Sequence, residues 1–315
     1  MTPFTQSGAA SPGAVVECVP NFSEGTDPER VKAIIGAMCV DGVRLLDWSM
    51  DEGHNRSIVT IAGDPNAILE AAIRGAGKAA ELIDLTVQEG QHPRIGAADV
   101  IPFVPVSGIR LEQCALLARQ AGMEIWRRFG VPVYFYEAAA ARPDRASVDD
   151  VRRDQFEGLR DIVRKDASRR PDIGGPALHP TAGACAVGAR KFLVTYNICF
   201  DSSDVAMARS IAKEVRASAG KTVKAIGALV HGRAQLTLNI SDFERTPISE
   251  VFAKISKLAT RHKTAPIEGE VVGLIPEAAC ERDSEWMRHL IQFDPAAKIL
   301  ERRLENPLAW PTKGC

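Results

Sequence analysis

Residues 15–38, VVECVPNFSEGTDPERVKAIIGAM, predict a complete strand, turn and helix. Residues 15–19 are mostly apolar and β-prone, and the PNFSEG that follows is rich in turn-forming residues. Pro28 then occupies the first helical position, where a missing N–H is tolerated, with Thr26 or Asp27 as the expected cap. Apolar side chains follow at the spacing of one buried helical face: Val31, Ile34, Ile35 and Met38.

The segments that follow complete the order strand, helix, strand, strand, helix, strand. The predicted strands are residues 43–48, 57–62 and 100–106, and the second predicted helix is residues 64–82. Pro102 and Pro105 lack the N–H that an inner strand needs, so they place the last strand at a sheet edge or a bulge. A helix over residues 111–129 and a strand over residues 131–136 are expected next, and then short helices and surface loop over residues 138–170.

The second half of the chain repeats this order. Its predicted strands are residues 191–200, 223–230, 235–240 and 270–275, and its predicted helices are residues 204–219 and 247–260. Two copies of one βαββαβ order predict an α+β fold built from two tandem ferredoxin-like subdomains. The alternative is that an α+β chain of this length shows the same order by chance.

Composition narrows the class of protein. The chain has 315 residues, 39 Lys plus Arg, 40 Asp plus Glu and a net charge of -1. Such a balance argues against binding to nucleic acid or to anionic lipid, because that binding needs a basic excess. No stretch is apolar for the roughly 18 residues of a membrane helix, and residues 1–14 do not resemble a signal peptide. A cytoplasmic location is the default expectation.

Two long polar loops are the first candidates for a functional site, because long loops in compact domains are often functional. They cover residues 84–99 and 171–188. His92 in the first loop is flanked by glycines, a proline and charged residues, and imidazole is a natural proton carrier near neutral pH. A surface histidine without a role is the competing interpretation of His92 taken alone.

A third candidate is the cluster His54, Asn55 and Arg56 between two predicted strands, with Asp47 and Asp51 nearby. An arginine in such a setting can bind a carboxylate, whereas the competing interpretation is a solvated turn. Motifs of other enzyme classes are missing from the chain, including Gx4GK[ST], HExxH and GxSxG. No His, Cys or carboxylate pair has metal-ligand spacing on one element, so no metal is expected.

Several motifs in order resemble the formiminotransferase domain family. They are VECVPNFSEG at residues 16–25, HNRS at 54–57, GQHPRIGAAD at 90–99, GACAVGARKFL at 183–193, LTLNISDF at 236–243 and VVGLIP at 271–276. The resemblance implies two ferredoxin-like subdomains with a ligand cleft between them. It also implies transfer of the formimino group of N-formimino-L-glutamate to N5 of tetrahydrofolate, the co-substrate, in histidine degradation. A homodimer and a separate cyclodeaminase partner are further expectations, because related mammalian proteins are fused to a cyclodeaminase.

The resemblance carries residue roles onto this sequence. His92 matches the family's catalytic histidine, a general base and acid, and either Asp47 or Asp51 is expected to orient it. Mammalian members have an acidic residue where this chain has Ser49, so the orienting contact is open. The expected substrate-binding and folate-binding residues are Asn21, His54, Asn55, Arg56, Arg94, Gly96, His179, Gly183, Arg190 and Lys191.

The expected domains are a disordered extension at residues 1–14, an N-terminal subdomain at 15–188, and a C-terminal subdomain at 189–315 with a helical extension. Two alternative functions stay open. One is formyl transfer between N-formylglutamate and tetrahydrofolate. The other is a folate-binding protein without catalysis.

Overall fold

A computed structural model describes residues 10–281 and 283–311 of the chain. Most of the extension expected at residues 1–14 lies outside these residues. The described end of that segment is bonded to the fold, because the Ser11 backbone N–H donates to the Gly108 carbonyl at 3.1 Å and Ala14 is buried.

The described residues form a mixed α+β structure with two β-sheets. The strands are β1 (Val15–Cys18), β2 (Asn21–Phe22), β3 (Val43–Asp51), β4 (Arg56–Gly63), β5 (Ala98–Ser107), β6 (Val133–Glu137), β7 (Cys185–Ala189), β8 (Val194–Phe200), β9 (Val223–Val230), β10 (Arg233–Ile240) and β11 (Pro266–Val272). The α-helices are α1 (Pro28–Ala37), α2 (Pro65–Leu82), α3 (Leu111–Phe129), α4 (Val148–Val151), α5 (Gln155–Ile162), α6 (Val205–Ala219), α7 (Ile248–Arg261), α8 (Glu285–Arg288), α9 (Pro295–Lys298) and α10 (Leu300–Glu305).

The first compact unit covers residues 1–190 and 307–315, of which 10–190 and 307–311 are described. Its sheet has the spatial order β3, β4, β1 with β2, β5, β7 and β6. The strands β1 and β2 both pair with β4 on one side and β5 on the other, so they act as one strand interrupted at Pro20. The result is an antiparallel half that is extended by the parallel strands β7 and β6.

The structure decides between the two alternatives predicted for β5, and it contains one strand, β7, that the sequence does not predict. The strand β5 is not at an edge, because β1 and β2 flank it on one side and β7 on the other. A register shift opposite Pro105 supplies the alternative that the prolines indicated, a bulge. The strand β7 lies where the sequence predicts the end of the polar loop 171–188. Its sequence, CAVGA, is too short and too rich in small residues to indicate a strand.

The helices of the first unit begin and end where local chemistry directs them. Asp27 caps α1 by accepting from two backbone N–H groups, and Asp64 caps α2 in the same way. Gly130 ends α3 in the left-handed conformation, at φ 65°. The buried faces of these helices join the sheet in one apolar core, so the polar loops at the strand ends are held on a rigid base.

The second compact unit covers residues 191–306, with residue 282 outside the description. Its sheet has the order β11, β8, β10 and β9, and every neighbouring pair is antiparallel. Side chains along β8 alternate between buried and half-buried, because α6 and α7 cover one face of the sheet. Beyond β11, the short helix α8 contributes Trp286, which is fully buried in the core of this unit.

The described residues after the second unit, 307–311, belong to the first unit. The Leu308 backbone N–H donates to the Leu45 carbonyl at 2.8 Å, which places residues 307–311 with the first unit and not with the C-terminal subdomain of the sequence-based expectation. Among the described residues, no helix combines the length and apolar character needed to cross a membrane.

Candidate functional site

The predicted catalytic histidine lies in a small pocket of the first unit. The space inside is about 10 Å³, roughly room for one water molecule. Side chains from β2, the turn between β3 and β4, the loop before β5 and the start of β5 meet there. The lining residues are Asn21, Phe22, Ser23, His54, Asn55, Arg56, His92, Arg94 and Asp99.

Asn55 joins the segments that form the pocket. Its backbone has a positive φ of 47°, which asparagine tolerates better than most residues. The side-chain Oδ1 accepts from the Gly25 backbone N–H at 2.8 Å, and Nδ2 donates to the Glu89 carbonyl at 2.7 Å. Gly90 approaches this turn so closely that a Cβ there would lie 2.5 Å from the His54 carbonyl oxygen. Asn55 is therefore a positioning residue for both the turn and the His92 loop.

Two predicted glycines hold the two long loops together. A Cβ on Gly96 would lie 2.0 Å from the Ala184 carbonyl oxygen, and one on Gly183 would lie 2.1 Å from the Ile95 carbonyl oxygen. Gly183 also has a φ of 69°, and the two glycines form an isolated antiparallel bridge. Their role in the structure is close backbone packing beside the His92 loop.

Arg94 lies in the pocket wall, but its guanidinium is already occupied. Its Nη2 donates to the Gln88 carbonyl at 2.7 Å and to Glu157 Oε1 at 3.0 Å, and its Nε donates to the Gln88 side chain. Phe156 N–H in turn donates to the Arg94 carbonyl at 2.8 Å. Arg94 thus ties the His92 loop to α5, which is a structural use of a residue expected to bind substrate.

An ion pair between Asp99, which lines the pocket, and Arg152 is a feature that the sequence does not predict. Asp99 is buried, and its Oδ2 accepts from Arg152 Nε at 2.9 Å and from Nη2 at 2.5 Å. The other carboxylate oxygen accepts from the Ile95 backbone N–H at 2.8 Å. Arg152 comes 53 residues after Asp99, in a segment predicted as short helices and loop, so no local signal identified it.

Arg56 is the pocket arginine that keeps capacity for a ligand. One guanidinium nitrogen donates to Asn21 Oδ1, whereas its Nε–H is buried without a hydrogen-bond partner among residues 10–281 and 283–311. No carboxylate among the described residues forms an ion pair with the Arg56 guanidinium. Burial lowers the pKa of Arg56 to about 10, so the group is still positively charged at neutral pH. A half-buried guanidinium with no ion pair and one buried, unpartnered N–H favours an anionic ligand, since a carboxylate can satisfy both the charge and that N–H group.

The environment keeps His92 neutral. Burial, and then the positive charges of Arg56 and Arg152, lower the pKa of His92 to about 4. The imidazole is therefore unprotonated at neutral pH, which is the form that a general base requires. Its ring lies 6.3 Å from the ring of His54, measured between centroids, in an edge-on arrangement.

Asp51 contacts His54 and not His92. Its Oδ2 is 2.8 Å from His54 Nδ1, and its Oδ1 accepts from the His54 backbone N–H at 2.8 Å. These hydrogen bonds lower the pKa of Asp51. Asp47, the other candidate for orienting His92, lies opposite Thr60 on β3 and does not line the pocket.

The remaining predicted binding residues lie elsewhere. His179 lines a separate open groove beside α1 and α2. Its Nδ1 accepts from the Ala182 backbone N–H at 3.0 Å. Arg190 follows β7, and its backbone N–H donates to the Phe103 carbonyl at 3.1 Å. Lys191 belongs to the second unit and pairs with Asp242 at 2.7 Å, which raises the pKa of Lys191. The described residues contain no cluster of three or more His, Cys, Asp or Glu side chains arranged to hold a metal ion.

Family models match both halves of the chain. The model of the formiminotransferase domain, N-terminal subdomain, matches residues 15–190, and that of the formiminotransferase domain matches residues 195–288. The first match lies within the first compact unit and the second within the second compact unit.

Curated relatives agree with the family models. The chain is 40% identical over 300 residues to glutamate formimidoyltransferase of Thermoplasma acidophilum, covering 93% of this chain and 98% of the relative. It is 40% identical to the protein of the same name from Streptococcus pyogenes, with 92% and 98% covered. Formimidoyltransferase-cyclodeaminase of Gallus gallus is 37% identical, with 84% of this chain but 51% of the relative covered. The matching motifs, the His92 pocket and these relatives lead to one conclusion: the chain belongs to the formiminotransferase family.

Proposed function

We propose that this protein is a glutamate formimidoyltransferase, which moves the formimino group of N-formimino-L-glutamate to N5 of tetrahydrofolate. The observation that carries the proposal is that one pocket contains both a neutral imidazole, His92, and a guanidinium without an ion pair, Arg56. The first group can accept a proton, and the second can hold a carboxylate. Both groups suit a reaction in which an amino-acid derivative donates a group to a nitrogen nucleophile, because that reaction needs proton transfer and a positioned substrate. The names of the two most similar relatives quoted above support the same reaction.

In the proposed mechanism, Arg56 binds the α-carboxylate of formiminoglutamate. That carboxylate is separated from the reacting nitrogen by a single carbon, so an anchor in the His92 pocket suits it. The glutamate tail of the folate is less suitable, because an aromatic ring separates it from N5. His92 then accepts the proton of N5 as the bond from N5 to the formimino carbon forms.

Other expectations from the sequence belong to the same proposal. We infer that each unit contains a ferredoxin-like plait. When the four strands of each antiparallel core are numbered in chain order, with β1 and β2 counted as one strand, their order across the sheet is 4-1-3-2 in both units. We also propose the ligand cleft, a homodimer, a cytoplasmic location and a separate cyclodeaminase partner. Light scattering of the purified protein tests the homodimer, and cell fractionation tests the location.

The proposed reaction is tested by incubating purified protein with formiminoglutamate and tetrahydrofolate. The expected result is release of glutamate together with formation of 5-formiminotetrahydrofolate, measured by mass spectrometry. A parallel reaction with N-formylglutamate tests the alternative donor. Turnover with the formyl donor alone would contradict the proposal, and folate binding without turnover of either donor would favour the non-catalytic alternative.

The acidic shift of His92 predicts a specific pH dependence. We expect the His92 ring to titrate near pH 4 in the free protein, followed by NMR of the histidine side chains. In Arg56→Met the ring should titrate at higher pH, because removing a nearby positive charge favours the imidazolium form. Titration near 6.5 in the unchanged protein would contradict the environment described for this ring.

A further inference from the structure

His54 and Asp51 form a dyad at the mouth of the His92 pocket. The Asp51 carboxylate holds both Nδ1 and the backbone N–H of His54, each at 2.8 Å. With Nδ1 held by a carboxylate, the other ring nitrogen is left to exchange protons. The side chain of His54 is 52% exposed, so that nitrogen has access to solvent and to ligands.

The transfer reaction needs two proton movements of opposite direction. One proton must leave N5 of the folate, and one must arrive at the nitrogen of the departing glutamate. The geometry allows the two movements to be divided between two side chains. His92 lies in the pocket with Arg56 and Arg152 as its charged neighbours, and His54 lies beside it, more exposed and next to a carboxylate.

We propose that His54 is a second proton-transferring residue, the general acid that protonates the departing glutamate nitrogen, and that Asp51 positions it. This inference rests on the proposed formimidoyl transfer.

The protons and bonds balance over one turnover. The bond from N5 to the formimino carbon forms while the π pair of the C=N bond moves to the imino nitrogen, and His92 takes the N5 proton. That C=N bond then forms again as the bond from the carbon to the glutamate nitrogen breaks, the electron pair of the broken bond stays on the glutamate nitrogen, and the His54 imidazolium supplies its proton. His92 is left protonated and His54 neutral. With 6.3 Å between the ring centroids, a proton passing from His92 to His54 through one water restores the starting state.

The first test replaces His54 by glutamine, which can still hydrogen bond to Asp51 but cannot carry a proton. We expect kcat to fall at least about tenfold with the KM of both substrates within about threefold, a smaller loss than the roughly 100-fold at the lower end of general acid catalysis, because water can partly replace an exposed donor. In His54→Ala, added imidazole should restore part of the lost rate, because the site is open to solvent. His231→Ala changes an exposed turn histidine of the second unit and should behave like the unchanged protein.

A double-mutant cycle tests the role of Asp51. Asp51→Asn should lower kcat in the unchanged protein and have little further effect in the His54→Gln background, since Asp51 acts through His54. A His54→Gln enzyme with kcat within twofold of the unchanged protein would overturn the inference. So would a rate loss in His54→Ala that imidazole does not rescue. If the unchanged protein itself shows no transfer, the proposed function fails first, and the two failures are therefore distinguishable.

Discussion

His92→Ala is expected to lower kcat at least about 100-fold, which is the lower end of the range for a lost proton-transfer group. The physical reason is that His54, the other imidazole among the described residues of the pocket, is exposed and held by Asp51, which leaves His92 to receive the N5 proton. Folate binding should be largely retained, because the imidazole is assigned a role in the transfer step and not in holding the ligand. Stopped-time assays of glutamate release give kcat, and folate fluorescence quenching gives the binding constant.

The matched control for this prediction is His262→Ala. His262 is exposed at the end of α7 in the second unit, so its removal should leave both kcat and KM unchanged. A His92→Ala enzyme that turns over at a rate near that of the control would remove His92 from the mechanism. Unfolding curves of both variants should agree with the unchanged protein, which excludes a loss caused by misfolding.

Arg56→Met is expected to raise the KM for formiminoglutamate at least about 30-fold, as for the loss of a hydrogen-bonded charge pair worth 2 kcal/mol or more. Methionine retains much of the packing volume of the arginine stem while it removes the charge and the N–H donors. The KM for tetrahydrofolate should change less than about threefold, since the carboxylates of the folate tail are assigned no contact in this pocket. Initial-rate measurements with each substrate varied in turn separate the two effects.

Arg74→Ala is the control for the charge change. Arg74 lies on α2 and pairs with Glu70 on the surface, so the variant removes one positive charge from the same unit outside the pocket. It should leave both KM values unchanged. A rise in the KM for tetrahydrofolate instead of formiminoglutamate in Arg56→Met would reassign Arg56 to the folate tail.

Helices were predictable from the sequence because their signals are local. For α2, the cap Asp64, the first-turn proline and the apolar repeat all lie within the segment itself, and the structure has a helix over Pro65–Leu82 as expected. The strand β7 carried no such signal, since CAVGA is short and its parallel pairing with β5 and β6 depends on residues far away in the chain. Because β7 pairs with β5, the inner position of β5 could not be predicted without β7.

The roles of the arginines could not be separated from the sequence. Arg56 and Arg94 both lie in motifs of the family, and both line the pocket. Only the structure shows that Glu157 and Gln88 occupy the guanidinium of Arg94, while that of Arg56 keeps an unpartnered Nε–H. Hydrogen-bond partners in distant segments determine which cation is left for a ligand.

The sequence by itself determined the family, the α+β class, most helices and the loop that carries His92, because turn residues, caps and apolar periodicity act over a few neighbouring positions. Only the tertiary structure decided that Asp51 binds His54, that Arg152 neutralises Asp99, and that Lys191 pairs with Asp242 in the second unit. The first outcome depends on the conformation of the turn between β3 and β4, which places two residues three positions apart in contact. The other two join residues 53 and 51 positions apart, so distant segments determine those distances and no local pattern encodes them.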